Sequence, residues 1–354
     1  MKRTWLSIFA VSAWAFLIGC GDDVGVKPDA GGTSPDMGAA ADSQGHLGVD
    51  AGAATDTMIT SPSVDAGAGV DSMSEMSSLD GGMPMATLSA PTNLSVAPGD
   101  APGTAKISFS PPSNSMAGMA LSYTVTASPG AVTATGTQPP ILMSGLTPQT
   151  AYTFSMVASD GMTSSAPAST GLVGFYDVVE TFEEPMTQPN NTSFTGSFAF
   201  DSTSLTVANL TGSLTESMTK VNGVYGGPMT TVTLANQLSA APVTLDGASG
   251  FLVTTFALTT VDTFTGGGFA PGGTQYYGLQ EGTPNNHNAY AMIFVNSADP
   301  TATPTQAQID KLAYADCTAG GMMMSSCMTG TSVAGCGAEG TMGGYPLSQT
   351  IIKR

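Results

Sequence analysis

Residue types that could carry catalysis are few in this chain of 354 residues. Its two histidines, His46 and His287, are far apart in sequence, and a hydrolytic metal site needs several imidazoles or a close imidazole–carboxylate set. No Gly-x-Ser-x-Gly motif is present to hold a nucleophilic serine beside His287. We therefore expect no catalytic triad, no metal and no cofactor, and we interpret His287 as a surface-loop residue.

Paired carboxylates are the remaining route to acid–base chemistry, because glycoside hydrolysis needs only two of them a few ångströms apart. No motif pairs any two of the acids in the last part of the chain, and we expect most of them to be solvated turn residues. The candidates are Asp177, Glu180, Glu183, Glu184, Asp201, Glu216, Asp246, Asp262 and Glu281.

Three cysteines, Cys317, Cys327 and Cys336, lie within twenty residues of one another. An exported chain meets an oxidising compartment, so we expect one disulfide with one thiol left over. All three pairings stay open. We favour Cys317–Cys327, which would join the end of a predicted helix to a Gly/Met-rich loop. The neighbouring run Met322–Met324 also suggests soft ligands for Cu(I), but Met is frequent along the whole chain, with 21 residues.

The N-terminus has the pattern of an export signal. Lys2 and Arg3 precede an apolar stretch, Trp5–Ile18, that is too short to span a bilayer comfortably. The stretch ends in Leu-Ile-Gly-Cys, which resembles the bacterial lipobox, whose cysteine is lipidated and becomes the first mature residue. The resemblance implies a signal peptide at 1–19 and an acylated Cys20 inserted in a lipid bilayer. The alternative is an ordinary signal peptide that contains a cysteine.

Residues 20–88 are rich in Gly, Ala, Ser and Asp, and they contain no aromatic residue and a single lysine, Lys27. Such a segment cannot bury enough apolar surface to offset its ordering entropy, so we predict a disordered acidic linker. A flexible coil of this length would reach about 45 Å. It would hold the folded part of the protein away from the membrane.

Residues 89–174 show apolar–polar alternation interrupted by Pro and Gly, which predicts a small β-sandwich. The predicted strands are Asn93–Ala97, Ala105–Ser110, Leu121–Ala127, Ile141–Ser144 and Tyr152–Ser159. This region resembles a fibronectin type III domain, most clearly in Leu-Thr-Pro-Gln-Thr-Ala-Tyr at 146–152. The resemblance implies a tyrosine corner formed by Leu146, Pro148 and Tyr152, with the Tyr152 hydroxyl bonded to backbone near Leu146. Where the family usually has a core Trp, Phe109 or a neighbour must fill the volume.

Residues 175–354 also predict a β-rich domain, a sandwich or a jelly roll, with at most one short helix near 304–315. Thr303-Pro304-Thr305-Gln306 has the pattern of a capping box, and the helix should stop near Asp316. The predicted strands are Ser193–Phe200, Leu205–Val207, Thr230–Ala235, Gly250–Leu258, Tyr276–Leu279 and Ala289–Val295.

The composition argues against several classes of function. The net charge is −18 with only eight basic residues, which argues against nucleic-acid binding. Both Trp residues, Trp5 and Trp14, lie in the signal segment, so an aromatic platform for sugar would depend on Tyr225, Tyr276, Tyr277 or Tyr290. The sequence predicts an all-β lipoprotein of the cell envelope, with the outer membrane or cell surface favoured. It would be a non-catalytic binding, adhesion or structural module with a surface protein or glycan as partner. The alternative is a polysaccharide-active hydrolase or glycan-binding protein with the first sandwich as a spacer.

The lipid anchor gives a direct test. Cys20→Ser removes the acylated thiol, so we expect the variant to move from the detergent phase to the aqueous phase in a phase-partition assay, since stable attachment needs the acyl chains. Ser43→Ala in the predicted linker is the control and should stay in the detergent phase. A Cys20→Ser variant that still partitions into detergent would contradict lipidation at this residue.

Overall fold

The computed structural model describes residues 87–115, 119–259, 287–318, 328–331 and 344–354, which form β-sheets and one short helix. This confirms the predicted all-β class. Within those ranges, no helix is long and apolar enough to cross a membrane. Several sequence predictions lie outside the described residues: the signal segment with Cys20, the linker, the strand Tyr276–Leu279, and the side chains of His46, Asp262, Tyr276, Tyr277, Glu281, Cys327 and Cys336.

The first seven strands form a sandwich of two antiparallel sheets, with orders β1-β2-β5 and β4-β3-β6-β7. All five predicted strands of this region are present. The short edge strand β4 was not predicted, because its Val-Thr-Ala-Thr-Gly sequence offers little apolar contrast. The strands are β1 (Thr92–Pro98), β2 (Thr104–Ser110), β3 (Ser122–Ser128), β4 (Val132–Gly136), β5 (Ile141–Ser144), β6 (Thr153–Ser159) and β7 (Ala168–Ser169).

The core of this first sandwich follows from strict alternation on its strands. On β6, Phe154, Met156 and Ala158 are fully buried, while the residues between them are half-exposed. Phe109 fills the volume expected of a larger aromatic residue, with its ring centroid 4.4 Å from that of Tyr123. Burying these side chains is the main contribution to the stability of a domain this small.

The remaining strands form a second sandwich of two five-stranded antiparallel sheets, with orders β11-β10-β9-β8-β17 and β12-β13-β14-β15-β16. Inward-facing Phe, Leu, Ile and Val residues of both sheets make one core. The strands are β8 (Val173–Glu183), β9 (Thr192–Asp201), β10 (Thr206–Thr215), β11 (Thr231–Leu234), β12 (Asn236–Leu245), β13 (Ala248–Phe256), β14 (Ala289–Asn296), β15 (Ala313–Asp316), β16 (Met328–Thr331) and β17 (Tyr345–Lys353).

Strand β8 belongs to both sandwiches. Val173 and Phe175 at its start pack in the first core, whereas Val178 and Phe182 further along pack in the second. The chain end reinforces this junction, because the Arg354 N–H donates to the Phe175 carbonyl at 2.9 Å. The sequence boundary expected at residue 174 therefore falls inside a continuous strand.

The helix is shorter than the sequence predicted and begins later. Helix α1 spans Gln306–Ile309, and the capping residue is Thr305, not Thr303. The Thr305 N–H donates to Gln308 Oε1 at 3.0 Å, so the box closes two residues beyond the predicted position. Residues from Ala313 form β15 because pairing with β14 replaces the helical hydrogen bonds there. The prediction that the helix continues to Asp316 is wrong.

Two buried or half-buried glutamines connect the two sheets of the second sandwich. The Gln349 side chain on β17 accepts the Phe294 N–H at 2.8 Å and donates to the Phe294 carbonyl at 2.7 Å. On the other side, Gln237 on β12 accepts the Leu210 N–H at 2.7 Å and donates to the Val207 carbonyl at 2.9 Å. Each side-chain amide thus takes the place of a strand partner for backbone groups that would otherwise be unpaired.

This arrangement predicts a large effect of removing one amide. Gln349→Met keeps the length of the side chain but leaves the Phe294 N–H and carbonyl without a partner. We expect the free energy of unfolding to fall by about 2–6 kcal/mol, since each of the two buried unpaired polar groups costs about 1–3 kcal/mol. Urea denaturation measures it. Gln306→Met, at an exposed helix residue, is the control, and an equal effect of the two substitutions would contradict the role assigned to Gln349.

Candidate functional site

A buried chain of polar side chains closes one end of the second sandwich, where the turns after β8 and β10 meet β15. The Thr192 hydroxyl lies within hydrogen-bond distance of the Tyr314 and Ser217 hydroxyls, each at 3.1 Å. Tyr314 in turn donates to the Glu184 carboxyl group, and Ser217 contacts the Met328 sulfur at 3.6 Å. We call these five residues the polar network. It joins strands of both sheets at the base of the loops.

The network is continuous with a hydrogen-bonded loop frame built on Asn190. The Asn190 amide donates to the carbonyls of Ser217 and Thr219 at 2.9 and 3.0 Å, and its oxygen accepts the Gly226 N–H at 2.8 Å. These bonds tie the β8–β9 turn to the β10–β11 loop. Loops fixed in this way on a rigid sandwich are where such folds present binding surfaces.

A small hairpin projects from this frame. Val221 and Val224 exchange backbone hydrogen bonds across a tight turn in which Asn222 and Gly223 have positive φ, as a turn of this kind requires. Val224 is 64% exposed, as is Met186 on the neighbouring turn. Tyr225 is half-buried, with the Lys220 ammonium 4.6 Å from its ring centroid. We call the surface formed by Met186, Val221, Val224 and Tyr225 the loop-end surface.

A second group of acids lies beside the polar network. Asp316, the last residue of β15, accepts the Thr318 N–H at 2.8 Å, and the Thr318 hydroxyl also donates to Glu216 at 3.1 Å. Burial raises the pKa of Asp316, and the nearby negative charge of Glu216 adds to the increase. Among the described residues, no three His, Cys, Asp or Glu side chains are placed to hold a metal ion.

Two carboxyl groups on the inner side of the five-stranded sheet that contains β8 are unusual, because they are buried away from water. Burial raises the pKa of Glu184 to about 8, although its bonds from Tyr314 and Thr192 oppose the increase. Glu180, four residues earlier and on the inner face of β8, is fully buried, and neither of its carboxyl oxygens has a hydrogen-bond partner among the described residues. Burial raises its pKa well above the ordinary value. Both groups are therefore held largely in the neutral acid form at neutral pH.

The expectation of solvated turn acids is correct for some candidates and wrong for others. Asp246 lies in the exposed turn between β12 and β13, and Asp201 caps the turn after β9 by accepting the Thr203 N–H at 2.8 Å. Glu180 and Glu184 are instead buried on or beside a strand. Asp177 and Glu183 point outward from β8 and contact Arg354 and Tyr345, respectively.

The described aromatic candidates for a sugar platform also divide into a buried residue and an accessible one. Tyr290 is fully buried against Phe256, so it cannot serve as an exposed platform for sugar. Tyr225 is accessible at the loop-end surface. His287 is exposed, at the start of the segment that leads into β14.

The described residues include the whole of the predicted tyrosine corner and one of the three disulfide candidates. Tyr152 is buried, and its hydroxyl accepts the Thr147 N–H at 2.7 Å, one residue beyond Leu146, which is also buried. Pro148 is exposed in the intervening turn. Cys317 is buried and disulfide-bonded, and the other three cysteines lie outside the described residues.

Sequence reasoning missed Thr192, Ser217 and Tyr314, because hydroxyl residues have no local signature that predicts a contact across 122 or 130 residues. A signal for the two buried acids was present. From Tyr176 in β8 to Glu184, the residue after it, every second side chain points to one side, and Tyr176, Val178 and Phe182 make that side apolar. Period two therefore places Glu180 and Glu184 on the apolar face.

These features define a class of protein: two β-sandwiches joined through one strand, with ordered loops at one end and carboxyl groups buried inside the second sandwich. Residues 89–171 match the family model of the fibronectin type III domain, which confirms the resemblance of the first sandwich. No curated protein matches the chain significantly.

Among solved structures, the chicken CNTN1 FN1-FN3 domains are 10% identical to the chain. That similarity covers 60% of this chain and 95% of the other, with a TM-score of 0.19. A likeness at that level carries no inference about this protein.

The buried acid at Glu180 makes stability depend on pH. Its folded pKa is raised, so its penalty is absent below the unfolded value of about 4.5 and grows as pH rises toward the folded value. Glu180→Gln cannot ionise, and we expect it to raise the free energy of unfolding at pH 8 by at least about 1 kcal/mol. Chemical denaturation between pH 4 and 8 measures this difference.

The control is Asp246→Asn, which changes an exposed turn carboxyl. It should leave the pH profile of stability as it is in the wild type. A Glu180→Gln variant whose stability advantage does not grow with pH would show that the Glu180 carboxyl is not held neutral.

Proposed function

We propose that this protein is an envelope lipoprotein, anchored through Cys20, that presents its two joined sandwiches as a non-catalytic binding or structural module. The observation that carries the proposal is the loop-end surface: apolar side chains exposed on loops that are fixed from below by Asn190 and the polar network. A rigid, partly apolar surface costs little entropy when it binds a partner. The partner class this surface suits is a surface protein.

Sequence features support the location. The lipobox-like segment ending at Cys20, followed by an acidic stretch without aromatic residues, is the pattern of a tethered exported protein. The shared strand β8 would transmit that attachment to a single rigid body rather than to two loosely connected domains.

The buried carboxyl groups argue against the hydrolase alternative. Acid catalysis on a polysaccharide requires a carboxyl group that touches the glycosidic oxygen. Glu180 and Glu184 are each 0% exposed and Asp316 is 2% exposed, so a sugar ring cannot reach any of them without opening the sandwich. Their neutral form instead suits packing in the sandwich end.

A hydrolysis assay tests the non-catalytic assignment. We expect the purified protein to release no reducing ends from cellulose, chitin, xylan or peptidoglycan, because the carboxyl groups of Glu180, Glu184 and Asp316 are buried out of reach of a sugar ring. Glu184→Gln and Asp316→Asn are assayed beside the wild type, with Asp246→Asn as the control. Hydrolysis that either of the first two substitutions abolishes, and that the control leaves intact, would overturn the proposal.

A further inference from the structure

The outward face of the first sheet of the second sandwich changes character along the strands. Where the first sandwich covers it, the face is apolar, with Val173, Phe175 and Ala199 packed in the first core. Beyond Phe175 the outward positions of β9, β10 and β11 are Ser and Thr, whereas on β8 only Thr181 is of this kind and on β17 the exposed Ile352 adjoins Thr350 and Ser348. The change follows the edge of the covering sandwich.

Strand register arranges these hydroxyl residues in transverse rows. One row crosses the sheet from β11 to β17 through directly paired residues, and four of its five members carry a hydroxyl group. The row is Thr233, Ser213, Thr195, Val179 and Thr350.

The adjacent row, two residues along each strand, is composed entirely of hydroxyl residues. Its central pair, Thr215 and Ser193, is joined by a hydrogen bond of 2.8 Å from the Ser193 N–H to the Thr215 hydroxyl. The row is Thr231, Thr215, Ser193, Thr181 and Ser348. We call the two rows together the hydroxyl face. Its groups repeat about every 4.8 Å across the strands and about every 6.8 Å along them.

The hydroxyl groups of this face are available to an external partner. Thr195, Thr233 and Thr350 are exposed, and their hydroxyls make no hydrogen bond within the described part of the chain. Each can both donate and accept. The face therefore offers a repeating set of hydrogen-bonding groups without a fixed polarity.

The charge of the face limits the partner. No charged side chain lies in either row, and of the two carboxylates that flank the rows on β8, Asp177 has Arg354 at 3.7 Å and Glu183 accepts a hydrogen bond from the Tyr345 hydroxyl. A neutral face attracts neither phosphate nor a polycation. It also lacks the Trp, Tyr and Arg residues that usually contribute most to protein–protein affinity. The chemistry that remains is a neutral partner with its own repeating hydroxyl groups.

We propose that the hydroxyl face binds a neutral polysaccharide laid across the strands. The sheet has the ordinary twist of antiparallel strands, which a flexible polymer can follow and a flat crystalline surface such as ice cannot. This inference rests on the proposed binding function and gives it a ligand class, at a surface separate from the loop end.

The test uses the full chain in detergent and measures depletion from solution by non-crystalline preparations of three neutral polymers: acid-swollen cellulose, colloidal chitin and insoluble β-1,3-glucan. We expect binding to at least one of these polymers. The double substitution Thr195→Val and Thr233→Val removes two hydroxyl groups but keeps side-chain shape and β propensity. It should weaken that binding about tenfold, which corresponds to two hydrogen bonds.

The matched control is Thr133→Val with Thr135→Val, two exposed threonines on β4 of the first sandwich. It should bind as the wild type does. Four results would each overturn the assignment: no binding to any of the polymers, inhibition of ice recrystallisation instead of polymer binding, an equal loss of binding in the control, or a loss of binding on Tyr225→Ala alone. These outcomes leave the detergent partitioning of Cys20→Ser and the hydrolysis assay unaffected, so failure of this inference is distinct from failure of the proposed function.

Discussion

Strand β8 is the element on which the rest of the folded chain depends, because one alternating strand serves two cores. Its first residues, Val173 and Phe175, complete the first sandwich, and Val178 and Phe182 are central to the second. The strand pairs along its length with both β9 and β17. A hinge between the sandwiches would require breaking this ladder, together with the bonds from Asn209 to Ser95 and Val96. The two sandwiches are therefore expected to move as one body.

Closure of the second sandwich has a different physical basis from its core. Two sheets packed face to face leave strand edges with unpaired N–H and carbonyl groups, which are costly when buried. Gln349 and Gln237 each pair with one N–H and one carbonyl of the opposite sheet, so each side-chain amide makes the two hydrogen bonds that a neighbouring strand would otherwise make. At the loop end, Tyr314 and Thr192 link the two sheets through hydroxyl groups instead. The carboxyl of Glu184 can stay buried there because it remains largely protonated.

The pattern of apolar and polar residues along a segment predicted the elements whose formation depends mainly on neighbouring residues. The strands of the first sandwich and β9 alternate between apolar and polar residues, β14 is a continuous run of buried residues, and the tyrosine-corner sequence lies within seven residues. Strand β12 was missed because Pro242 and several small residues obscure its period. The helix was overextended because pairing of β15 with β14 overrides helical spacing after Ile309. Contacts such as Gln349 with Phe294 join residues 55 apart, and no local signal specifies such a partner. The candidate site shares this property, since the Asn190 frame and the polar network are built almost entirely from long-range contacts.

Position along β8 also orders the surfaces of the second sandwich. The start of the strand is covered by the first sandwich, its middle lies under the hydroxyl face, and its end leads through Glu184 into the turn that supports the loop-end surface. Ionisable groups follow the same order: Glu180 and Glu184 point inward and are held neutral, while Asp177 and Glu183 point outward and have partners in Arg354 and Tyr345. The two rows of hydroxyl residues thus contain no charged side chain, and the carboxylates of Asp177 and Glu183 flank them. The hydroxyl face and the partly apolar loop end are therefore different kinds of surface, one on the strands of the open sheet and the other on the loops that begin where those strands end.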